Sequence, residues 1–105
     1  MARRLSFFQR FLAPVRDGRK VTTIRKARLV RSLRPGDPLM LAFGARHAPT
    51  LLSACCTSLE AMGSDLSPEE MERVAERDGI SVDELRGILA SDEPMVVISF
   101  RLEPS

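Results

Sequence analysis

Lys20, Thr23 and Arg25 fall within six positions of one another and are the side chains with the clearest capacity for chemistry. They sit in Gly18-Arg19-Lys20-Val21-Thr22-Thr23-Ile24-Arg25, where a cation, a hydroxyl and a guanidinium can converge on one rim. The chain carries 14 Arg but only 2 Lys, Lys20 and Lys26. Arg suffices wherever a plain positive charge is wanted. Lys differs chiefly in that its amine loses its proton readily when desolvated. Lys20 therefore stands out as a chemical group, against the alternative of a solvated loop cation. The planar donors of Arg25 suit a carbonyl oxygen or a phosphate. On an ideal strand Thr23 and Arg25 share a face, with Ile24 pointing into the core, while Lys20 faces away from Thr23. Bringing Lys20 and Thr23 together requires Lys20 to sit in the turn after Gly18, before regular strand pairing begins.

The flanking elements must build that turn. Phe8, Phe11, Leu12 and Val15 recur at i, i+3, i+4 and i+7, the spacing of one helix face. Pro14 removes a donor and is tolerable only in a first turn, which predicts a short helix over Arg10–Asp17. Asp17-Gly18 stops it, because Gly accepts the left-handed conformation of a helix end. Lys20–Arg25, β-branched and alternating, is the following strand, and Leu5–Phe8 the preceding one. Lys26–Arg34 reads as a basic loop, a candidate lid or substrate contact. Arg34-Pro35-Gly36-Asp37 is a turn. Pro38–Phe43 and Thr50–Leu59 are strands joined by a hairpin-type connection over Gly44–Pro49. Ser67-Pro68-Glu69-Glu70 and Ser81-Val82-Asp83-Glu84 are capping boxes, the first with Pro at the opening helical position. The first helix ends at Asp78-Gly79, and Met95–Leu102 is a closing strand. The fold class is α+β, a single domain over 1–105. A small, mixed, partly closed barrel of about five to six strands with three short helices buries such strands without exposed edges.

Composition narrows the function classes. No apolar run approaches the roughly 20 residues of a membrane helix. The charged start Met-Ala-Arg-Arg leads into a segment broken by Gln9, Arg10 and Arg16, so no signal sequence is expected and a cytoplasmic location is. The only cysteines are adjacent, Cys55-Cys56, and read as small buried thiols. With one His, His47, and no spaced Cys, no metal site is expected. The net charge of +2 conceals a division: residues 1–46 carry 12 Lys+Arg against 2 Asp+Glu, and residues 47–105 carry 4 against 12. Either the basic half meets an anionic partner, with nucleic acid or a nucleotide first, or the halves neutralise each other on folding.

Phe7-Phe8-Gln9-Arg10-Phe11, Gly18-Arg19-Lys20, Thr23-Ile24-Arg25 and Pro35-Gly36-Asp37 together resemble the ASCH domain of the PUA-like superfamily. Among ASCH proteins the chain is most similar to the small bacterial N4-acetylcytidine amidohydrolases. The resemblance covers nearly the whole chain and is specific in the first 40 residues. It implies a β-barrel related to RNA-binding PUA domains and a pocket for a modified pyrimidine nucleoside. It also implies a catalytic Lys, Thr and acidic residue, which fall on Lys20, Thr23 and Asp78. The family has Glu where this chain has Asp78, one methylene shorter. Glu76 lies about 200° away around the helix and is no obvious substitute.

Cleaving an acetyl amide takes a nucleophile, a base and an oxyanion donor. A Thr hydroxyl is inert at its own pKa, and a neighbouring Lys can serve as its base if burial lowers the amine's pKa. With the resemblance, Thr23 is the expected nucleophile and Lys20 its base; no cofactor is expected. Arg25, Arg10 and Phe8 are candidate substrate-binding residues, Phe8 by stacking on a base, although Phe8 and Phe11 at helical spacing also read as core. Thr23 as an ordinary strand residue and Asp78 as helix-end punctuation are the alternatives. Two other functions remain open: a non-catalytic RNA- or nucleotide-binding module using the same pocket, and a protein-interaction domain.

Overall fold

The computed structural model describes residues 2–63 and 65–104. Five strands, β1 (Arg3–Phe7), β2 (Thr22–Lys26), β3 (Pro38–Phe43), β4 (Thr50–Ala61) and β5 (Met95–Leu102), form one mixed sheet in the order β1-β3-β4-β5-β2. β1 and β3 pair in parallel, and the other neighbours are antiparallel. The sheet curls into a half-barrel with β1 and β2 at its free edges. Across that seam the Arg25 Nη2 donates to the Ser6 carbonyl at 2.8 Å. This is the α+β class expected from the sequence, a small, mixed, partly closed sheet with three short helices. The helices are α1 (Leu12–Arg16), α2 (Pro68–Asp78) and α3 (Val82–Leu89).

Alternation along the strands builds the core. Leu39, Leu41 and Phe43 of β3 are fully buried, as are Ile98 of β5 and Cys56 of β4. Phe7 stacks on Phe43 with ring centroids 5.0 Å apart. Each buried leucine, isoleucine or phenylalanine contributes about 1.5–3 kcal/mol by leaving water. The register of the 12-residue β4 against β5 slips between Cys56 and Ser58, where a bulge bends the strand. There the Arg34–Asp37 turn is stitched on: Gly36 N–H donates to the Cys56 carbonyl, and Cys56 N–H to that of Asp37. Cys55, its side chain on the opposite face, is only half-buried.

Both capping boxes form as expected, Ser67 with Glu70 and Ser81 with Glu84. The opening segment differs in detail. A 3-10 turn over Gln9–Phe11 precedes α1, so Pro14 falls in the first turn, where its missing N–H has no intrahelical partner. Val15 is buried as the helical spacing requires, but Phe8 is 74% exposed. The reason is phase. Phe7 ends a strand facing inward, so Phe8 faces out before helical periodicity starts. The 26–34 segment is also more structured than a loop. It holds a 3-10 turn over Ala27–Leu29, and Val30 and Leu33 are buried in the core, which anchors it rather than freeing it as a lid.

Among the described residues four ion pairs join the basic first half to the acidic second half: Arg10–Glu84, Lys20–Asp78, Lys26–Glu93 and Arg28–Glu93. Mutual neutralisation thus accounts for part of the charge division. Among the described residues no helix is long and apolar enough to cross a membrane.

Candidate functional site

Lys20 is placed by two helix ends. The Pro14 carbonyl of α1 accepts from the Lys20 N–H at 3.0 Å, and Val21 N–H donates to the Arg77 carbonyl at the end of α2 at 2.8 Å. β2 starts only at Thr22, so Lys20 lies in the turn and escapes strand alternation. Its side chain is 2% exposed. The ammonium donates to the Asp78 carbonyl at 2.6 Å and lies 3.2 Å from Asp78 Oδ2. It also stands 4.7 Å from the Phe11 ring centroid and 5.8 Å from that of Phe7.

Asp78, buried as well, is the last residue of α2. Its Oδ1 accepts from Thr22 Oγ1 at 3.0 Å, so one carboxylate binds both sides of the turn into β2. Glu76 is exposed on the other side of the helix. Gly79 closes α2 at φ +69°, and a Cβ there would stand 3.1 Å from Lys20 Cβ. Gly79→Ala is expected to lower stability by about 1–2 kcal/mol, from left-handed strain alone, before any displacement of Lys20. A urea midpoint shift in the variant measures it.

Thr23 is buried and its Oγ1 accepts from Arg25 Nε at 3.0 Å. That bond confirms their common face and leaves the hydroxyl proton free to be donated. The Arg25 guanidinium lies over the Phe7 ring at 4.8 Å. Lys20, Thr23, Arg25 and Asp78 line one cavity of about 580 Å³. Its walls add Phe7, Phe11, Ile80 and Ile88, and its rim carries Phe8, Arg10 and Glu84. Ile24 lines this cavity half-buried instead of entering the core. A second cavity of about 620 Å³, between the end of β4 and α2, includes Thr22 but none of Lys20, Thr23, Arg25 and Asp78.

Burial sets the electrostatics. Desolvation lowers the Lys20 amine below its ordinary value; Asp78 opposes this, and Arg25 and Arg10 reinforce it. Desolvation likewise raises Asp78, against Lys20, Thr22 and Arg25. Both groups are pushed toward neutrality, which makes the amine readier to give up its proton than a solvated lysine. Arg25 is lowered too, chiefly by burial, but an arginine stays charged. No three His, Cys, Asp or Glu side chains converge as metal ligands among the described residues.

Of the candidate residues, Lys20, Thr23, Asp78 and Arg25 meet in the cavity, while Phe8 and Arg10 stand at its mouth. Thr22 and Glu84 were not anticipated. The signal for Thr22 was its place beside Thr23, since adjacent strand residues face opposite ways. Glu84 was legible only as a capping residue.

Neither a protein-family model nor a curated protein matches the chain. Solved structures do. The hypothetical protein PH0355 superposes with a TM-score of 0.69 at 15% identity, over 98% of this chain and 100% of that one. Protein EF3133 from Enterococcus faecalis V583, a DUF984 protein, gives 0.65 at 21% identity, over 90% of this chain and 68% of that one. A mutant of ZmASCH from Zymomonas mobilis gives 0.65 at 13% identity, over 93% and 67% respectively. The fold is thus ASCH-like.

Proposed function

We propose that the chain is an amidohydrolase that removes the acetyl group from N4-acetylcytidine or a related acylated pyrimidine nucleoside. The observation that carries this reading is the meeting of a buried lysine and a buried threonine in one cavity, with Asp78 holding the lysine and Arg25 holding the threonine. Thr23 Oγ1 attacks the acyl carbon as its proton passes to the neutral Lys20 amine. The lysine returns that proton to the departing N4 as the C–N bond breaks, releasing cytidine. A water, deprotonated by Lys20, then attacks the acyl-threonine, releasing acetate and restoring the hydroxyl. The Nε of Arg25 stabilises charge on Oγ1, and its remaining N–H groups serve the acyl oxygen. Asp78 orients Lys20 at the shorter reach of an Asp because the end of α2 lies directly against the turn.

The test is incubation of the full chain with N4-acetylcytidine, reading free cytidine by chromatography. The expected result is turnover that rises with pH, because the neutral amine is the active form, and that levels off below the ordinary lysine value of 10.5, since burial lowers Lys20. No cytidine at any pH would sink the reading.

Exposed Phe8 favours a second reading, a nucleotide- or RNA-binding module without chemistry. RNA affinity that falls steeply with salt, in the absence of turnover, would support it.

A further inference from the structure

Five charged side chains line the cavity: Arg10, Lys20, Arg25, Asp78 and Glu84. At the inner end Lys20 and Asp78 satisfy each other. At the outer end Arg10 Nη2 meets Glu84 Oε2 at 2.5 Å, with both side chains partly exposed. Glu84 is held twice, since its Oε1 accepts from the Ser81 N–H at 3.2 Å as part of the α3 capping box. Those bonds keep its carboxyl below the usual range, so it stays anionic at neutral pH. Arg10 is anchored in turn, its guanidinium 4.4 Å from the Phe11 ring centroid. The remaining cation, Arg25, commits Nε to Thr23 and Nη2 to the Ser6 carbonyl at the seam.

A phosphate arriving at this mouth meets a fixed carboxylate and must displace it from Arg10, breaking a charge-assisted bond. A sugar hydroxyl meets a donor and an acceptor side by side and displaces neither. We infer that the Arg10–Glu84 pair sets the charge class of the ligand: the cavity takes the uncharged nucleoside and disfavours its phosphorylated form, with Glu84 the discriminating residue. This rests on the nucleoside pocket proposed above.

Titration calorimetry of the full chain with cytidine and with cytidine 5′-monophosphate tests it without turnover. Wild-type protein is expected to bind cytidine about tenfold more tightly than the monophosphate, from like-charge repulsion at the rim. Glu84→Gln keeps the capping box, because Gln also serves at that position, and frees Arg10. It should erase or reverse the preference, and adding Arg10→Gln should cancel the gain. An unchanged preference in Glu84→Gln, or a gain that survives loss of Arg10, would overturn the inference while leaving the hydrolase reading intact. Failure of wild-type protein to bind either ligand would remove the pocket assignment and the inference together.

Discussion

Lys20→Met will reduce N4-acetylcytidine turnover by about 10²–10⁴-fold, the scale of a lost general base, and will lower stability by about 3–5 kcal/mol, the scale of a buried ion pair broken on one side. Methionine fills most of the lysine's space, so lost packing is a minor part. The cost comes from Asp78, which keeps Thr22 but loses the ammonium that offsets its burial. Lys20→Met/Asp78→Asn is expected to recover most of the stability and none of the turnover, because the amide still accepts from Thr22 and carries no charge. Denaturant titration beside the cleavage assay separates the two effects. The pH dependence has a definite sign. Removing Lys20 removes an influence that lowers Asp78, so its folded pKa rises further above the unfolded one. The resulting penalty is full above the folded pKa and is relieved as pH falls through it toward the ordinary carboxylate range. Lys20→Met should therefore gain stability on wild type under acidification. A deficit that stayed constant from neutral pH into the acid range would contradict the buried-pair account.

Thr23→Val is the second large effect, with turnover falling by about 10³-fold or more, as when a nucleophile is deleted. Valine keeps the shape and β-branching that suit β2 and removes only the hydroxyl. The stability cost is about 1–3 kcal/mol, because Arg25 Nε is left without its acceptor. Thr23→Ser retains both the hydroxyl and that bond and should keep much of the activity. Single-turnover measurements on both variants tell a lost nucleophile from a displaced Arg25. If Thr23→Val turned over like wild type, water would have to be the direct attacker, with Lys20 its only base.

Local signals were strong wherever the physics is local. The two capping boxes, the stop at Gly18 and the strand over Pro38–Phe43 depend on residues a few positions apart, and all were legible before any tertiary contact was known. The spacing of Lys20 and Thr23 already stated a condition for the two to face one site, that Lys20 precede regular pairing; β2 starts at Thr22, and both residues line the cavity. Periodicity misled where two elements with different periods abut. Phe8 sits on a helical stripe by counting, but the stripe begins one residue later, after a strand has turned Phe8 outward.

Tertiary structure decided what joins distant parts of the chain. Asp78 lies 58 positions from Lys20 and 56 from Thr22, and nothing within α2 distinguishes it from ordinary helix-end punctuation. Only the docking of the end of α2 against the turn into β2 makes it the anchor of a buried lysine. Glu84 belongs to a capping box on sequence grounds, and only the 74-residue separation closed by folding makes it the partner of Arg10. Composition could count a basic half and an acidic half. Which charges cancel is set by chain topology, because a Coulomb interaction in a small domain depends on final distances rather than on order along the chain. The sequence by itself thus determined the two capped helices, the Arg34–Asp37 turn and the residue types capable of chemistry. The curled sheet decided which of them share a cavity, how deeply they are desolvated and which charges are left to meet a ligand.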